Sequence, residues 1–359
     1  MNKKIVIATG GTGGHIFPSL SLFEFLEKKY EINLTTDKRG AKFLKNIQNK
    51  RIKIIYSSPI SKGNIFKLVL DLFKIAISFF YSLAFLIKFR PKIVIGMGGY
   101  SSFPVCIAAY FLRVPLLLYE NNLVIGKTNK FLLPFAKKII VSNNKIKGIN
   151  IKFKNKVFFS GYLLRKKIFE IKTRNLEVDK KQLSILIIGG SQSAKIFSET
   201  LPIVIGECNK IGIKFKILQQ CLENQKDELK EIYTKLHLDF ELFHFSENLS
   251  KYYQETDLAI TRSGASSIAE LINLNIPFVA IPLPFSADNH QFENASYFEK
   301  KGYCFLLEEK FINDKLFKIL KDLDQNREKL IAAKNKMREH SDKDVVLKIN
   351  ILIEKILNV

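Results

Sequence analysis

Cysteine and histidine are scarce in this sequence of 359 residues, which contains four cysteines and five histidines. No Cys-x-x-Cys or His-x-x-x-His pair occurs, so neither a disulfide framework nor a structural zinc site is expected, and a reducing cytoplasm is the default compartment. The widely spaced cysteines are Cys106, Cys208, Cys221 and Cys304. The chain runs from Lys3 and Lys4 directly into an apolar strand pattern, which is not the pattern of a signal peptide.

Acidic residues are also few, because 34 Asp and Glu stand against 57 Lys and Arg, giving a net charge of +23. Such an excess indicates an anionic partner, which could be nucleic acid, anionic lipid or a phosphorylated substrate. No basic block with interleaved aromatic residues occurs, so nucleic acid is not the expected partner, although a basic nucleic-acid-binding module remains the non-enzyme alternative. The length predicts two domains, and the hydrophobic content of 47% predicts well-packed cores.

The most distinctive stretch is KKIVIATGGTGGHIFPSLSLFEFLEK at 3–28. Residues 5–7 are typical of a buried parallel strand and 18–28 of an amphipathic helix, so the four intervening glycines predict a strand-to-helix crossover. Glycine there permits left-handed dihedrals and lets a ligand reach the main chain, and the amides of a helix start favour an anion. The stretch lacks the Lys-Ser/Thr pair of a P-loop, and Ile16 replaces the third glycine of a dinucleotide fingerprint.

Strand-like runs alternate with helix-like runs over the whole chain, which predicts parallel doubly wound sheets. In the first half the runs are 52–56, 93–96, 116–119 and 139–142. The design of apolar strand, paired glycines and helix then begins again at 184–205, with further strands at 214–218, 258–261 and 278–281. Two copies of one layout predict two Rossmann-like domains facing each other across a cleft, and the helical segments after residue 315 are expected to brace the first domain.

A second cluster of polar residues lies at 257–303. There a strand ends at RSG, a helix opens with Ala265, Ser266 and Ser267, and Glu270 follows one turn inside. Hydroxyls and amides at a helix start suit a diphosphate, and a glutamate one turn further in can accept both ribose hydroxyls. The loop at 288–291, DNHQ, supplies the neutral donors and acceptors that a sugar needs. Capping by the two serines, with Glu270 as a capping-box partner, is the structural alternative.

These motifs together resemble the MurG family. The matching strings are GGTGGH at 10–15, YENN with GKTNK at 119–130, GGSQ at 189–192, RSGA with Glu270, and DNHQ at 288–291. The resemblance covers nearly the whole chain and implies a GT-B fold of two Rossmann-like domains, with 1–162 as the acceptor and membrane domain, 163–340 as the donor domain and 341–359 as a helix packing back on the first. It implies an inverting, metal-independent transfer of N-acetylglucosamine from UDP-GlcNAc to undecaprenyl-diphosphoryl-N-acetylmuramoyl-pentapeptide in peptidoglycan synthesis.

The resemblance also implies site residues, carried over by matching position. The implied substrate-binding residues are Thr12, Gly13, Gly14, Asn122, Arg165, Ser191, Ser246, Ala265, Ser266, Ser267, Glu270 and Gln291, and the DNHQ loop adds His290. Independently of the resemblance, His15 is the one titratable side chain on the glycine turn, so it is the candidate general base or a hydrogen-bonding partner of the acceptor diphosphate, and a bond that only fixes the turn is the structural alternative. Glu120 is the reserve base or the group that orients His15. By this resemblance Glu270 holds the ribose, Gln291 the sugar, and the glycine turn faces the acceptor diphosphate. No metal and no cofactor is expected, since the Asp-x-Asp strings at 322–324 and 342–344 lie in polar helical segments.

Some positions depart from the family pattern. The junction has GYLLR at 161–165 where the family usually has GNPVR, GGSQSA replaces GGSQGA, and LQQCLEN stands in the usual histidine-glutamine segment. An NAD(P)-dependent oxidoreductase stays an alternative, supported by Asp37 about 20 residues past the glycines, where a ribose-binding acid would sit. Another glycolipid glycosyltransferase of the same fold is the nearest rival.

The segment 64–92 predicts the cellular location of the protein. Its polar residues recur at three- and four-residue steps and predict one narrow stripe on an otherwise apolar helix; they are Lys67, Asp71, Lys74, Ser78 and Ser82. Only 13 consecutive residues lack charge, about 20 Å of helix, which is too short to cross a bilayer. A helix wholly buried against the first sheet is the alternative, but one face would suffice for that packing, so surplus apolar residues are expected to enter the headgroup region beside the lysines. The surplus includes some of Phe79, Phe80, Phe85 and Phe89, and the nearby lysines are Lys62, Lys67, Lys74 and Lys88.

The expected partners follow from that interpretation. They are the UDP-GlcNAc donor, the undecaprenyl-linked acceptor, an anionic membrane surface and other cell-wall synthesis proteins, with no nucleic acid. The expected location is peripheral, on the cytoplasmic face of the inner membrane.

Overall fold

The structure is a computed structural model that describes residues 3–44, 47, 51–56, 65–175, 182–189, 194–244 and 249–358. The chain divides into two compact units. The first unit is Met1–Arg165 together with Asp342–Val359, and the second is Lys166–Ser341.

The first unit is built on a parallel sheet of seven strands. These are β1 (Lys4–Ala8), β2 (Glu31–Thr36), β3 (Ile52–Ile54), β4 (Ile93–Gly96), β5 (Leu116–Glu120), β6 (Lys138–Val141) and β7 (Val157–Phe159). Their order is β3-β2-β1-β4-β5-β6-β7. The helices are α1 (Gly13–Leu26), α2 (Lys38–Ala41), α3 (Ile65–Phe89), α4 (Phe103–Phe111) and α5 (Lys127–Leu132).

The second unit repeats the design with a parallel sheet of six strands. These are β8 (Leu183–Ile188), β9 (Phe215–Gln220), β10 (Asp239–Phe243), β11 (Leu258–Thr261), β12 (Phe278–Ala280) and β13 (Cys304–Leu306), in the order β10-β9-β8-β11-β12-β13. The helices are α6 (Ala194–Lys210), α7 (Lys226–Lys235), α8 (Ser250–Glu255), α9 (Ala265–Asn273), α10 (His290–Lys300), α11 (Ile312–Gln325) and α12 (Glu328–Met337). The predicted fold class, two Rossmann-like parallel-sheet domains of GT-B type, is confirmed.

Both faces of the first sheet are buried, which explains the continuous apolar runs of its central strands. Ile5 and Ile7 of β1 pack on the side of α1, whereas Val6 lies in a separate cluster with residues of α4. The last helix, α13 (Val345–Leu357), belongs to the first unit, where Ile349 and Ile353 are fully buried in the same cluster as Ile5. The chain therefore returns to the first sheet after the second unit.

Helix α1 begins five residues earlier than the sequence pattern predicted. Gly13, Gly14 and His15 form its first turn, and Pro18 lies inside the helix rather than at its start. Proline is tolerated there because only the carbonyl of Gly14 loses an amide partner, close to the helix end. None of the glycines in this turn has a positive φ, so the left-handed conformation that glycine permits is not used there. The left-handed glycines of this region are Gly98 and Gly99, after β4.

The short polar residues of helix α3 face inward, whereas many of its apolar residues face outward. Asp71, Ser78 and Ser82 are buried, and the Ser78 hydroxyl donates to the carbonyl of Tyr56. The exposed face is apolar and consists mainly of Phe66, Val69, Leu70, Leu72, Phe73, Ile77, Phe80, Tyr81 and Ile87, each more than half exposed. Along the predicted polar stripe, Lys67 and Lys74 are exposed while the three shorter residues are buried.

The four phenylalanines considered for lipid contact also differ in exposure. Phe80 is exposed, whereas Phe79, Phe85 and Phe89 pack against the cluster that contains Leu86. The expectation that this segment is too short to cross a bilayer was wrong, because by length and composition alone the span Phe66–Phe89 could cross a membrane, with a mean hydropathy of 1.8. Lys62 lies outside the described residues. The outward apolar face leaves α3 with a large hydrophobic surface on the first unit.

Candidate active-site residues in each unit

The glycine turn of the first unit is shaped by close approach of neighbouring backbone and side chains. A Cβ added to Gly10 would lie 2.6 Å from the Cα of Gly99, and one added to Gly11 would lie 2.0 Å from Oδ1 of Asp37. A side chain at Gly10 would therefore displace backbone, and one at Gly11 would displace the Asp37 carboxylate. By contrast, a Cβ on Gly14 would meet nothing within 4 Å, and Gly14 is exposed. The open part of the turn is the start of α1, where the first amides of a helix have no partner within the helix.

Thr12 is the residue before α1 and is exposed in an extended conformation. Its side chain makes no capping hydrogen bond to the helix. Together with Gly13 and Gly14 it presents the amino-terminal end of α1 to the surface. This arrangement can bind an anion through main-chain amides and the partial positive charge of the helix end.

His15 lies against the glycine pair that follows β4. A Cβ on Gly98 would lie 3.0 Å from Nδ1 of His15 and 3.6 Å from Nδ2 of Asn129, so both side chains approach the same point of the backbone. A Cβ on Gly99 would lie 3.4 Å from Cδ2 of His15. The imidazole is half-buried. The loops after β1, β4 and β5 thus meet around this histidine, at the carboxyl ends of three neighbouring strands.

Glu120 ends β5 and is 2% exposed. Its Oε1 accepts from the amide of Asn122 at 3.0 Å and from Nδ2 of the same residue at 3.2 Å. Its Oε2 accepts from the amide of Gly126 and from Nδ2 of Asn129, both at 2.9 Å. Four donors fill the acceptor capacity of a carboxylate. Glu120 therefore fixes the loop that carries Asn122 and joins it, through Asn129, to the backbone beside His15.

Arg165 is the last residue of the first unit and is half-buried. Its guanidinium lies 5.2 Å from the ring centroid of Phe17 in α1. Phe17 is also the residue that a Cβ on Gly13 would meet, at 3.1 Å. The structure therefore brings Arg165 next to the first turns of α1 by a cation–π contact.

In the second unit, α9 begins directly after β11, with Gly264 as its N-cap. Ser266 and Ser267 are at the second and third helical positions, so the capping alternative for these serines was wrong; they are half-buried, and Ala265 is 6% exposed. The preceding Arg262 is buried under the loop, with its guanidinium donating to the carbonyls of Ile281 and Pro282 at 3.3 and 3.2 Å and pairing with Glu309. Arg262 therefore holds the backbone that positions the helix start.

Glu270 lies in the second turn of α9 and is 8% exposed. The hydroxyl of Tyr253, from α8, donates to its Oε2 at 2.8 Å. Tyr253 is itself 2% exposed, so the contact is shielded from water. Since Glu270 is not the third helical residue, a capping-box role does not fit it.

Gln291 connects the 288–291 loop to the start of α9. Its Oε1 accepts from the amides of Ser263 and Leu283, at 3.2 and 3.0 Å. The adjacent residues Asp288 and Asn289 are left-handed, with φ of 51° and 54°, and turn the chain into α10. His290 is the first residue of α10, and its Nδ1 lies 2.5 Å from the carbonyl oxygen of Ala287. The structure therefore brings Gln291 beside the RSGA segment, whereas His290 contacts its own loop.

Two predicted residues, Ser191 and Ser246, lie outside the described residues. Asp37, which supported the dinucleotide alternative, caps α2 by accepting from the amides of Arg39 and Gly40 at 3.0 and 2.9 Å, and it is 6% exposed. Its carboxylate is thus engaged within its own loop. Among the described residues, no group of three metal-ligating side chains occurs.

Four residues that contribute to these sites were not predicted from the sequence. Gly98 and Gly99 follow a strand in IGMGGY, and this repeat of the strand-and-glycine design was the available signal. Asn129 lies in the quoted GKTNK string but was not singled out as a site residue; its side chain is 2% exposed and its Oδ1 has no hydrogen-bond partner among the described residues. Tyr253 carries no sequence signal, because its contact with Glu270 depends on the packing of two separate helices.

Comparison with known proteins identifies the family. Residues 5–141 match the glycosyltransferase family 28 N-terminal domain, and residues 184–349 match the corresponding C-terminal domain. A protein of Pelagibacter ubique is 40% identical over 100% of this chain and 99% of its own length, and one of Rickettsia canadensis is 39% identical over 84% of this chain and 85% of its own. Both are named UDP-N-acetylglucosamine--N-acetylmuramyl-(pentapeptide) pyrophosphoryl-undecaprenol N-acetylglucosamine transferase.

A solved structure agrees with the sequence relatives. The crystal structure of Acinetobacter baumannii MurG is similar with a TM-score of 0.78 and 26% identity, covering 98% of this chain and 99% of the other. Identity at this level over both units, together with the two domain matches, is enough to assign the chain. It belongs to the MurG family of glycosyltransferases.

Proposed function

We propose that the two residue groups described above carry the MurG reaction in this chain. The reaction is the transfer of N-acetylglucosamine from UDP-GlcNAc to undecaprenyl-diphosphoryl-N-acetylmuramoyl-pentapeptide, as in the relatives that match the chain over its full length. The second unit binds the donor and the first unit binds the acceptor. The buried pair of Glu270 and Tyr253 is the observation that carries the donor assignment.

The donor binds at the start of α9. The amides of this helix face the diphosphate, and the partial positive charge of the helix end stabilises the departing UDP. Glu270 accepts the ribose hydroxyls, while Tyr253 holds the carboxylate in one orientation. The amide nitrogen of Gln291 contacts the sugar, because its oxygen already accepts from the amides of Ser263 and Leu283.

The acceptor diphosphate binds at the start of α1, against Thr12, Gly13 and Gly14. His15 accepts the proton of the muramoyl hydroxyl as that oxygen attacks the anomeric carbon and the bond to UDP breaks, so the configuration inverts. Neutral imidazole near pH 7 suits this role. Glu120, with four donors of its own loop, acts as a positioning residue for Asn122 and Asn129 rather than as the base.

The reaction proceeds without a metal in this proposal, since helix amides hold the diphosphate charge. The decisive experiment follows labelled N-acetylglucosamine from UDP-GlcNAc to purified lipid-linked muramoyl-pentapeptide, with and without EDTA. We expect transfer under both conditions. Transfer to a different glycolipid with none to the muramoyl acceptor would contradict the substrate, and loss of transfer in EDTA that Mg²⁺ or Mn²⁺ restores would contradict metal independence.

The protein docks peripherally on the anionic cytoplasmic leaflet through α3. A soluble protein rarely exposes so many large apolar side chains along one helix, and the buried face of α3 fixes it along the first unit. The exposed face would bury its apolar side chains at the headgroup boundary, where Lys67, Lys74 and Lys88 meet anionic lipid. Such docking keeps the first unit next to a substrate whose polyprenyl chain stays in the bilayer.

A further inference from the structure

A cavity of about 510 Å³ lies in the first unit between α3 and the first strands of the sheet. It is lined by Lys4, Asn33, Lys53, Tyr81, Ala84, Phe85, Lys88 and Phe89. Lys4 is the first residue of β1, whereas the glycine turn follows the last residue of that strand. The cavity is therefore at the opposite edge of the sheet from His15 and belongs to neither group of site residues described above.

All charged residues that line the cavity are positive, since the lining contains three lysines and no carboxylate. Lys4 lies 3.7 Å from Glu31, whose side chain is 53% exposed. Within the described parts of the chain, Lys53 and Lys88 have no carboxylate partner, and the side-chain amide of Asn33 has no hydrogen-bond partner. The cavity thus offers ammonium and amide donors that an anion can use.

One wall of the cavity is aromatic. Phe85 and Phe89 stack with their ring centroids 5.8 Å apart and their planes 7° apart, and Nζ of Lys4 lies 5.1 Å from the centroid of Phe89. The lining residues of α3 recur at three- and four-residue steps from Tyr81 onward, so they form one stripe of the helix. Tyr81 also belongs to the exposed apolar face of α3, and the cavity therefore adjoins that face.

We propose that this cavity binds the phosphodiester headgroup of an anionic glycerophospholipid, with the acyl chains lying along the exposed face of α3. The lysines and Asn33 contact the phosphate, and the aromatic wall contacts the glycerol backbone. The inference rests on the proposed membrane docking and adds to it a discrete site for one lipid class. Inorganic phosphate would meet the lysines but would gain nothing from the aromatic wall or the apolar face.

The test uses the full chain and dihexanoyl phosphatidylglycerol below its critical micelle concentration, measured by titration calorimetry. Dihexanoyl phosphatidylcholine, glycerol 3-phosphate and inorganic phosphate are titrated alongside. Two variants alter the cavity, namely the double substitution Lys53→Gln with Lys88→Gln, and the near-isosteric Asn33→Asp. The matched control is Lys28→Gln with Lys42→Gln, which removes the same charge from exposed positions of the first unit, outside both the cavity and α3.

We expect saturable binding of the phosphatidylglycerol to the wild type and the control, with Kd raised about 10- to 30-fold in both cavity variants. Equal Kd values in all four proteins, no saturable binding to the wild type, or equally tight binding of inorganic phosphate would each overturn the proposal. Sedimentation with phosphatidylglycerol vesicles tests docking separately. A wild type that fails to sediment would contradict docking, while the short-chain lipid still reports on the cavity.

Discussion

The hydroxyl of Tyr253 donates to Oε2 of Glu270 at 2.8 Å, in a part of the second unit where both side chains are almost fully buried. This hydrogen bond holds the carboxylate in one orientation. If Glu270 accepts the ribose hydroxyls of the donor, Tyr253 contributes to donor affinity without touching the donor.

Replacing Tyr253 by Phe removes only this hydroxyl and tests that contribution. We expect the Kd of UDP to rise about 3- to 30-fold, because a hydrogen bond to a charged group is worth about 1.5 to 3 kcal/mol and only part of that energy reaches the ribose contact. The second measurement uses 2′,3′-dideoxy-UDP, for which wild type and Tyr253→Phe should have the same Kd. An equal loss for both nucleotides would mean that Tyr253 acts on the general structure of the unit and not through the ribose.

Glu270 itself should have the larger effect. We expect Glu270→Ala to lower UDP-GlcNAc affinity about 10- to 150-fold, which corresponds to about 1.5 to 3 kcal/mol for charged hydrogen bonds lost from a buried acceptor. Isothermal titration on a variant with an unchanged circular dichroism spectrum measures this loss. Unchanged affinity in that variant would remove Glu270 from the donor site.

His15 is expected to affect turnover rather than donor binding. The substitution His15→Ala should lower kcat at least about 100-fold, the usual contribution of a general base, while the Kd of UDP-GlcNAc stays within about 2-fold. His237→Asn is the matched control, because His237 lies in the turn after α7 with a φ of 51° that asparagine tolerates. Near-normal turnover in His15→Ala would exclude this histidine as the base.

Several features of the fold were predictable because they depend on local sequence. Strands β4 and β11 occupy the predicted residues, Ile93–Gly96 and Leu258–Thr261, since both are short apolar runs bounded by polar or glycine residues. The start of α1 was not predictable in this way, because a proline usually marks a first turn and Pro18 instead lies inside the helix.

The rest of the site depends on contacts between distant parts of the chain. The inward polar stripe of α3 has two possible orientations in sequence, and only its packing against Tyr56 and the neighbouring helix selects one. Likewise, Glu120 has the residue type of a base, yet its four donors come from a loop whose geometry the sequence does not state. Residue type identified the candidates, and tertiary packing distinguishes a reacting group from a positioning group.

The carboxylate of Glu120 provides a further test of that distinction. In Glu120→Gln an amide group replaces one oxygen and directs its hydrogens at donors such as the Gly126 amide or Nδ2 of Asn129. We expect the free energy of unfolding to fall by about 2 to 3 kcal/mol, because buried donors lose their acceptor. Urea denaturation measures this. A variant with wild-type stability but strongly reduced kcat would favour the base role for Glu120.

The buried cysteines should be inert, although four free thiols are present. Burial raises the pKa of Cys106 to about 12 and that of Cys208 to about 11. At pH 8 both are almost wholly protonated, and thiolate is the form that reacts with alkylating agents. We expect iodoacetamide at pH 8 to leave both unmodified in the native protein and to modify them in urea, as read by mass spectrometry. Rapid native modification would contradict their burial.

The last prediction concerns the exposed apolar face of α3. Phe66, Phe73 and Phe80 are 79%, 64% and 64% exposed and recur at seven-residue steps, so they lie on one side of the helix. Replacing all three by serine should leave the fold intact, because none of them packs in a core cluster. If this face enters the headgroup boundary, the triple variant loses the transfer free energy of three aromatic side chains.

We expect wild-type protein to sediment with phosphatidylglycerol vesicles at low salt and to be partly released at high salt, since lysine attraction is screened. The triple serine variant should bind at least about 10-fold more weakly at every salt concentration. Phe285→Ser is the control, because Phe285 is 96% exposed but lies in the second unit. Equal recovery of wild type and triple variant in the soluble fraction would contradict docking through α3. A matching loss in Phe285→Ser would show that exposed phenylalanines in general, and not this face, drive the binding.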